Sequence, residues 1–293
     1  MPHKPNGRRT ALGVLAVVTM LAGLSGCAET TPAPAAKPPS APAAALRMTE
    51  NKGRAVAFHV TPGRSRTIVL DSGGGEDSSY WNKLVPVLAA KTGATIVTYD
   101  RAGLGQSDEL PGPWNVASAV SDLEAGLTQI GVTGPVLLVS HSQAGEVATY
   151  FAKDRPQQVA AAVLVDANVP NFFTDEEVAR LDAAYRPVIA GLKNQPSTKK
   201  TRQLQATAAN FGPAHRAYHR ISWPHGIPVI SIVSATTPFE SPQDAQLWRN
   251  AQQTFVDAAP NRRLITAERS SHDVPKDRPD VVIAAIEQLL SAR

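Results

Sequence analysis

With 293 residues, 43% hydrophobic and 18% charged, the chain has a globular composition and enough length for one large domain or two small ones. The formal charge of +4 falls to +1 once Lys4, Arg8 and Arg9 near the amino terminus are set aside, so the charge makes no case for a nucleic-acid partner. The single cysteine excludes a disulfide framework, and no His-Glu-x-x-His or cysteine pair marks a metal site.

The first stretch reads as a targeting segment. Lys4, Arg8 and Arg9 form a positive region ahead of an apolar run, Ala11 to Leu24, which is short for a permanent membrane span. It ends in Leu24-Ser25-Gly26-Cys27, which resembles a bacterial lipobox. The resemblance implies removal of residues 1–26 and lipidation of Cys27, giving an exported cell-envelope protein anchored in the membrane. A plain secretory signal, giving a secreted protein, an uncleaved anchor and a twin-arginine signal built on Arg8-Arg9 are the alternatives. Residues 27–45 follow as an Ala/Pro-rich tether, extended and unable to bury a core.

The folded domain is expected over 46–293. Arg54 to Val60 predicts an early antiparallel strand, and Arg66 to Leu70 a second one that runs into Ser72-Gly73-Gly74-Gly75. Helical spacing follows from Ser79 to Lys91, then a buried strand from Ala94 to Tyr99 and an amphipathic helix from Asn115 to Ile130. Val136 to Val139 is a continuous apolar run suited to a strand covered on both faces, and Gly145 to Lys153 is helical. Val159 to Val165 is another strand, closed by Asp166. This repeating rhythm predicts an α/β fold with a mostly parallel sheet flanked by helices. The rhythm then breaks. Residues 170–224 hold no convincing strand but carry helical patterns, Thr174 to Leu192 and Thr198 to Phe211, which predicts a helical cap inserted into the sheet domain. Strands at Ile227 to Val233 and Arg263 to Ala267, with helices at Asp244 to Ala258 and Pro279 to Leu290, complete the chain.

Between the strand at Val136 and the helix at Gly145 lies Ser140-His141-Ser142-Gln143-Ala144. A serine on a sharp strand-to-helix turn needs small neighbours two residues away on either side, because the backbone there is crowded. The helix behind it favours developing negative charge. The pattern reads as a nucleophile elbow at Ser142, or as an ordinary strand-to-helix connection. A serine hydroxyl needs a base to take its proton as it attacks, and a late histidine, His272 in Ser270-Ser271-His272-Asp273, is placed for that role. His141 is expected to point away from Ser142.

Four features occur in order: the loop Ser72-Gly73-Gly74-Gly75, the loop Asp100-Arg101-Ala102-Gly103-Leu104-Gly105-Gln106-Ser107, the elbow at Ser142, and His272 between a last strand and a last helix. Together they resemble the α/β-hydrolase family over about residues 54–293. The resemblance implies a serine hydrolase that cleaves a small or medium carboxylic ester through an acyl-enzyme, without a metal or other cofactor. Other Ser-triad chemistry on the same fold (amide hydrolysis, perhydrolysis, C–C cleavage) and a non-catalytic binding lipoprotein are the alternatives. It also implies an oxyanion hole made by the backbone N–H groups of Gly74 and Gln143.

The family's usual acid would follow the strand at Ile227 to Val233, but Ser234-Ala235-Thr236-Thr237-Pro238-Phe239-Glu240 holds no Asp. Some members of the family place the acid one strand earlier, so the resemblance implies Asp166 as the acid, with Glu240 as its alternative. Asp100 and Arg101 are read as a charged pair steadying the loop beside the site. Tyr80, Trp81, Trp114, Phe172, Phe173, Phe211 and Trp223 are available to line a pocket or to fill the core. The expected partners are a small ester-like substrate and a membrane reached through the lipid anchor; no sequence feature specifies an oligomeric state.

Overall fold

The structure, a computed structural model, describes residues 43–292. The leader, Cys27 and the tether as far as residue 42 lie outside the described residues.

Eight strands form one sheet: β1 (Ala45–Asn51), β2 (Arg54–Thr61), β3 (Thr67–Asp71), β4 (Thr95–Tyr99), β5 (Val136–His141), β6 (Val159–Val165), β7 (Val229–Ser234) and β8 (Arg262–Ala267). Their order across the sheet is β1-β2-β4-β3-β5-β6-β7-β8. β1 and β2 run antiparallel to their neighbours and every other pairing is parallel. β1 is the one strand that sequence periodicity did not predict. Four of its first residues in succession are exposed and only Thr49 is buried, so it carries no alternating apolar signal. It is fixed by its turn instead: Lys52 (φ 53°) and Gly53 (φ 77°) both take positive φ, the backbone of a tight two-residue hairpin.

The strands at the centre bury both faces. In β5, Val136 and Leu138 belong to one apolar layer, and Leu137 and Val139 to the other, which explains the unbroken apolar run. One layer is completed by α2 (Val116–Gln129), α3 (Ala144–Asp154) and α7 (Pro242–Asp257). The other is completed by α1 (Leu84–Thr92) and α9 (Pro279–Ser291).

The predicted insertion lies between β6 and β7. A 3-10 turn at Pro170–Phe172 leads into α4 (Asp175–Leu192), α5 (Lys199–Ala209) and α6 (Phe211–His219). Thr174 caps α4 by accepting from the Glu177 amide at 3.2 Å, with three acidic residues in the first turn. The predicted helical pattern stopped at Phe211. Gly212-Pro213 reads as a break, but a proline in the first turn of a helix displaces no internal hydrogen bond, so it opens α6. Val178, Leu181 and Tyr218 of the cap join the same apolar layer as α2 and α3, so the cap shares the core of the domain. It is also tied to the body by Trp114 N–H to Ala206 O at 3.0 Å and by Asn210 Nδ2 to Trp114 O at 2.9 Å.

Candidate active site

The site forms at the carboxyl ends of the parallel strands, where open α/β sheets place their ligands. Ser142 follows β5 directly and Asp166 follows β6 directly, and the two strands are neighbours. Both residues have positive φ, 54° and 41°, in the left-handed region that side chains other than glycine seldom adopt. The Ser142 turn is held by its own amide donating to Val165 O at 3.2 Å, and by Asn168 N–H donating to Ser142 O at 2.8 Å. The backbone around the turn is closely packed. A Cβ on Gly145 would lie 2.2 Å from Asn168 O, and one on Gly73 would lie 3.2 Å from Ser142 Cβ.

His272, between β8 and α8 (Val274–Asp277), bridges the two strand ends. Its Nε2 lies 2.9 Å from Ser142 Oγ, and its Nδ1 lies 2.7 Å from Asp166 Oδ2. Serine, imidazole and carboxylate therefore form one continuous hydrogen-bonded line. Such a line can pass the serine proton to Nε2 while the carboxylate stabilises the resulting imidazolium. Asp166 has no exposed surface. Burial alone would raise its pKa, but the hydrogen bonds from His272, Ser234 and Trp248, with the charge of His272, outweigh burial and hold it below the usual value.

Glu240, the alternative acid, is corrected by this geometry. It is exposed on the turn after β7, while both ring nitrogens of His272 are occupied by Asp166 and Ser142. The same turn contributes in a different way. Ser234 donates to Asp166 through its amide (3.1 Å) and its hydroxyl (2.7 Å), and Trp248 Nε1 donates at 2.8 Å. Neither Ser234 nor Trp248 was singled out from sequence. Trp248 lies 82 residues from Asp166, on α7, and only the fold brings them together.

His141 packs against Tyr80 and the loop that carries His272. Its ring stacks on Tyr80 (centroids 4.9 Å) and lies 4.7 Å from the His272 ring, and Nε2 donates to His272 O at 2.9 Å. Burial, reinforced by the positive charge of His272, pushes its pKa down to about 3. His141 is thus a neutral prop behind the loop that carries His272.

Asp100 and Arg101 do not form the expected pair. Arg101 is bonded to Asp71 and donates to the carbonyls of Ser72 and Gly73, so it grips the glycine-rich loop from behind. Asp100 instead accepts the amides of Ser78 (2.9 Å) and Gln106 (2.8 Å). Burial raises the pKa of Asp100, but hydrogen bonds from His59, Gln106 and Ser78 prevail and bring it to about 2.

Ser142 opens into a cavity of about 500 Å³ between the sheet and the cap. Gly74 and Gln143 line it beside Ser142, and a Cβ on Gly74 would meet Gln143 Oε1 at 2.8 Å. Of the aromatic candidates, Phe172, Phe173 and Phe211 line the cavity, joined by Tyr185, Phe239 and Trp248. Trp81, Trp114 and Trp223 are core residues.

Comparison with known proteins agrees with this architecture. A model of the alpha/beta hydrolase family matches residues 68–285. The protein YqjL of Bacillus subtilis is 28% identical over 225 residues, 75% of this chain and 81% of YqjL. Lipase LipV of Mycobacterium tuberculosis is 39% identical over 94 residues, 32% of this chain and 34% of LipV. Among solved structures, Cfl2 of Burkholderia cenocepacia superposes with a TM-score of 0.65 at 20% identity, over 86% of this chain and 97% of that one. A thermophilic esterase from Thermogutta terrifontis gives 0.58 at 18% identity, over 84% and 97%. These superpositions speak to fold, and the family match takes in most of the described residues. The chain belongs to the alpha/beta hydrolase family.

Proposed function

We propose that this chain is a serine hydrolase that cleaves small or medium carboxylic esters through an acyl-enzyme. The observation that carries the reading is the unbroken line from Ser142 Oγ to His272 Nε2 (2.9 Å) and from His272 Nδ1 to Asp166 Oδ2 (2.7 Å), open to a cavity. Ser142 Oγ attacks the ester carbonyl carbon as His272 Nε2 takes its proton. The carbonyl oxygen becomes an oxyanion, received by the backbone N–H groups of Gly74 and Gln143 at the amino end of α3. Asp166 holds the imidazolium in register. The tetrahedral intermediate collapses, the C–O bond to the alcohol breaks, and His272 returns the proton to the leaving oxygen. Water, deprotonated by His272, then releases the acid and restores Ser142.

The cavity wall, mostly aromatic and aliphatic, suits the acyl or alkyl part of such an ester. A fluorophosphonate probe should label the wild-type protein and leave Ser142→Ala unlabelled. Equal labelling of both would remove Ser142 as nucleophile. The reading also places the enzyme outside the cytoplasm on a lipid anchor at Cys27, on the strength of the basic residues, apolar run and Leu24-Ser25-Gly26-Cys27 sequence alone. Incorporation of a labelled fatty acid that survives in Cys27→Ala would overturn the anchor.

A further inference from the structure

One wall of the cavity carries a charged group that the ester mechanism does not use. Glu146, on α3 one turn beyond Ser142, is 1% exposed and lines the cavity together with Asn168 and His215. Asn168 Nδ2 donates to Glu146 Oε1 at 2.6 Å, and His215 Nε2 approaches the same oxygen at 3.2 Å. His215 comes from α6 of the cap, and its ring lies between Phe173 (centroids 4.1 Å) and Phe211 (4.2 Å).

The proton count of this cluster follows from its partners. His215 Nδ1 faces the Phe211 carbonyl at 2.8 Å, so it carries a proton. Its Nε2 faces a carboxylate oxygen, and a hydrogen bond there needs a second proton between them. Glu146 and His215 are therefore neutral as a unit. Oε1 receives both donors, and no donor among the described residues reaches Oε2. A carboxylate oxygen without a donor in a wall of aromatic rings is costly, and it becomes favourable only when something in the cavity donates to it. An anionic group would be repelled by Oε2. A cation would place a net charge on a neutral unit in an apolar surround. A neutral donor has neither fault.

We propose that Glu146, held by Asn168 and His215, is a specificity-determining residue that accepts a hydrogen bond from a hydroxyl or amide N–H group of the substrate. The enzyme then favours hydroxy- or amide-bearing esters over plain alkyl esters of equal length. This rests on the serine-hydrolase reading of the same cavity.

The test compares matched esters with the purified protein: 4-nitrophenyl butanoate against the 3-hydroxybutanoate, 4-nitrophenyl pentanoate against the N-acetylglycinate, and ethyl against 2-hydroxyethyl butanoate. The wild type should prefer the donor-bearing member by roughly tenfold or more in kcat/KM in at least one series, chiefly through KM. In Glu146→Gln, the amide oxygen stays at the Oε1 position to receive Asn168 and the amide nitrogen takes the Oε2 position, so the cavity meets a donor in place of an acceptor and the ratio should fall to about one. Glu146→Asp, which withdraws the carboxylate by one methylene, should lower the ratio while keeping the charge. Wild-type ratios near one in every series, or a preference that survives Glu146→Gln, would show that the cluster only fastens the cap to the core. Fluorophosphonate labelling of the wild type separates the two readings. Absent labelling sinks the hydrolase assignment, whereas labelling with flat ratios sinks only the role of Glu146.

Discussion

Four hydrogen bonds converge on the Asp166 carboxylate, from His272, Trp248 and both the amide and the hydroxyl of Ser234. An amide in its place keeps the shape but presents N–H where a ring N–H must be received. Asp166→Asn should therefore lower kcat/KM by roughly 10³ to 10⁴. Glu240→Gln, on an exposed turn, should stay within about twofold in the same assay. His141 gives a second prediction, in pH. Its folded pKa of about 3 lies below the ordinary value of 6.5, so below 6.5 the unfolded chain binds a proton that the folded one refuses. Stability is fully present above pH 6.5 and drains away as pH falls toward 3, by up to about 1.4 kcal/mol per pH unit. His141→Asn should flatten the fall in Tm between about pH 6.5 and 5 relative to the wild type. Ser142, His272 and Asp166 could be singled out because each sits at a local signal, an elbow, a late loop or a strand end, and the fold brings them into hydrogen-bond contact. The hydrogen bonds of Ser234 and Trp248 to Asp166 span 68 and 82 residues, and no local pattern announces them.

At the level of elements, the turn from β5 into α3 is the most constrained piece of the chain. Gly145 faces a backbone carbonyl, which cannot move aside as a flexible side chain can. Gly145→Ala should destabilise the protein by about 1–3 kcal/mol, read from the urea midpoint. It should also reduce kcat/KM beyond what lost folding explains, because the Asn168 segment it displaces is the one that holds Ser142 O at 2.8 Å. Most other strands and helices were readable from periodicity, within a residue or two at their ends, because the parallel strands bury both faces and the helices bury one; the exceptions are α1, which starts at Leu84 behind a 3-10 turn at Ser78–Trp81, and the short α8. β1 was not, since its side chains are mostly exposed and its pairing is set by a turn. Nor was α6, since a Gly-Pro step ends some helices and begins others.

Across the whole molecule, the sheet separates two apolar layers with different duties. Among the described residues, the layer with α1 and α9 contributes no side chain to the cavity, whereas Phe172, Phe173, Leu181 and Trp248 of the other layer line it. Leu88→Ala, in the first layer, should cost about 2–5 kcal/mol in stability and leave the ranking of ester chain lengths unchanged. Leu181→Ala should alter both stability and that ranking, since it enlarges the cavity as well as loosening the cap. The same layout has a consequence for how the chain acquires its chemistry. β6 pairs with β7 across the entire cap, with Ala162 opposite Val229, so the last two strands can join the sheet only after a long stretch of chain has looped back. Pairings of such high sequence separation form slowly. His272 and Trp248 lie beyond that closure, and Ser234 ends the strand that makes it. The elbow can be in place before His272, in the carboxyl-terminal quarter, has reached Ser142 Oγ. On the proposed serine chemistry, a nascent, truncated or partly refolded chain should not cleave esters, and activity should appear only once the last strands have been added.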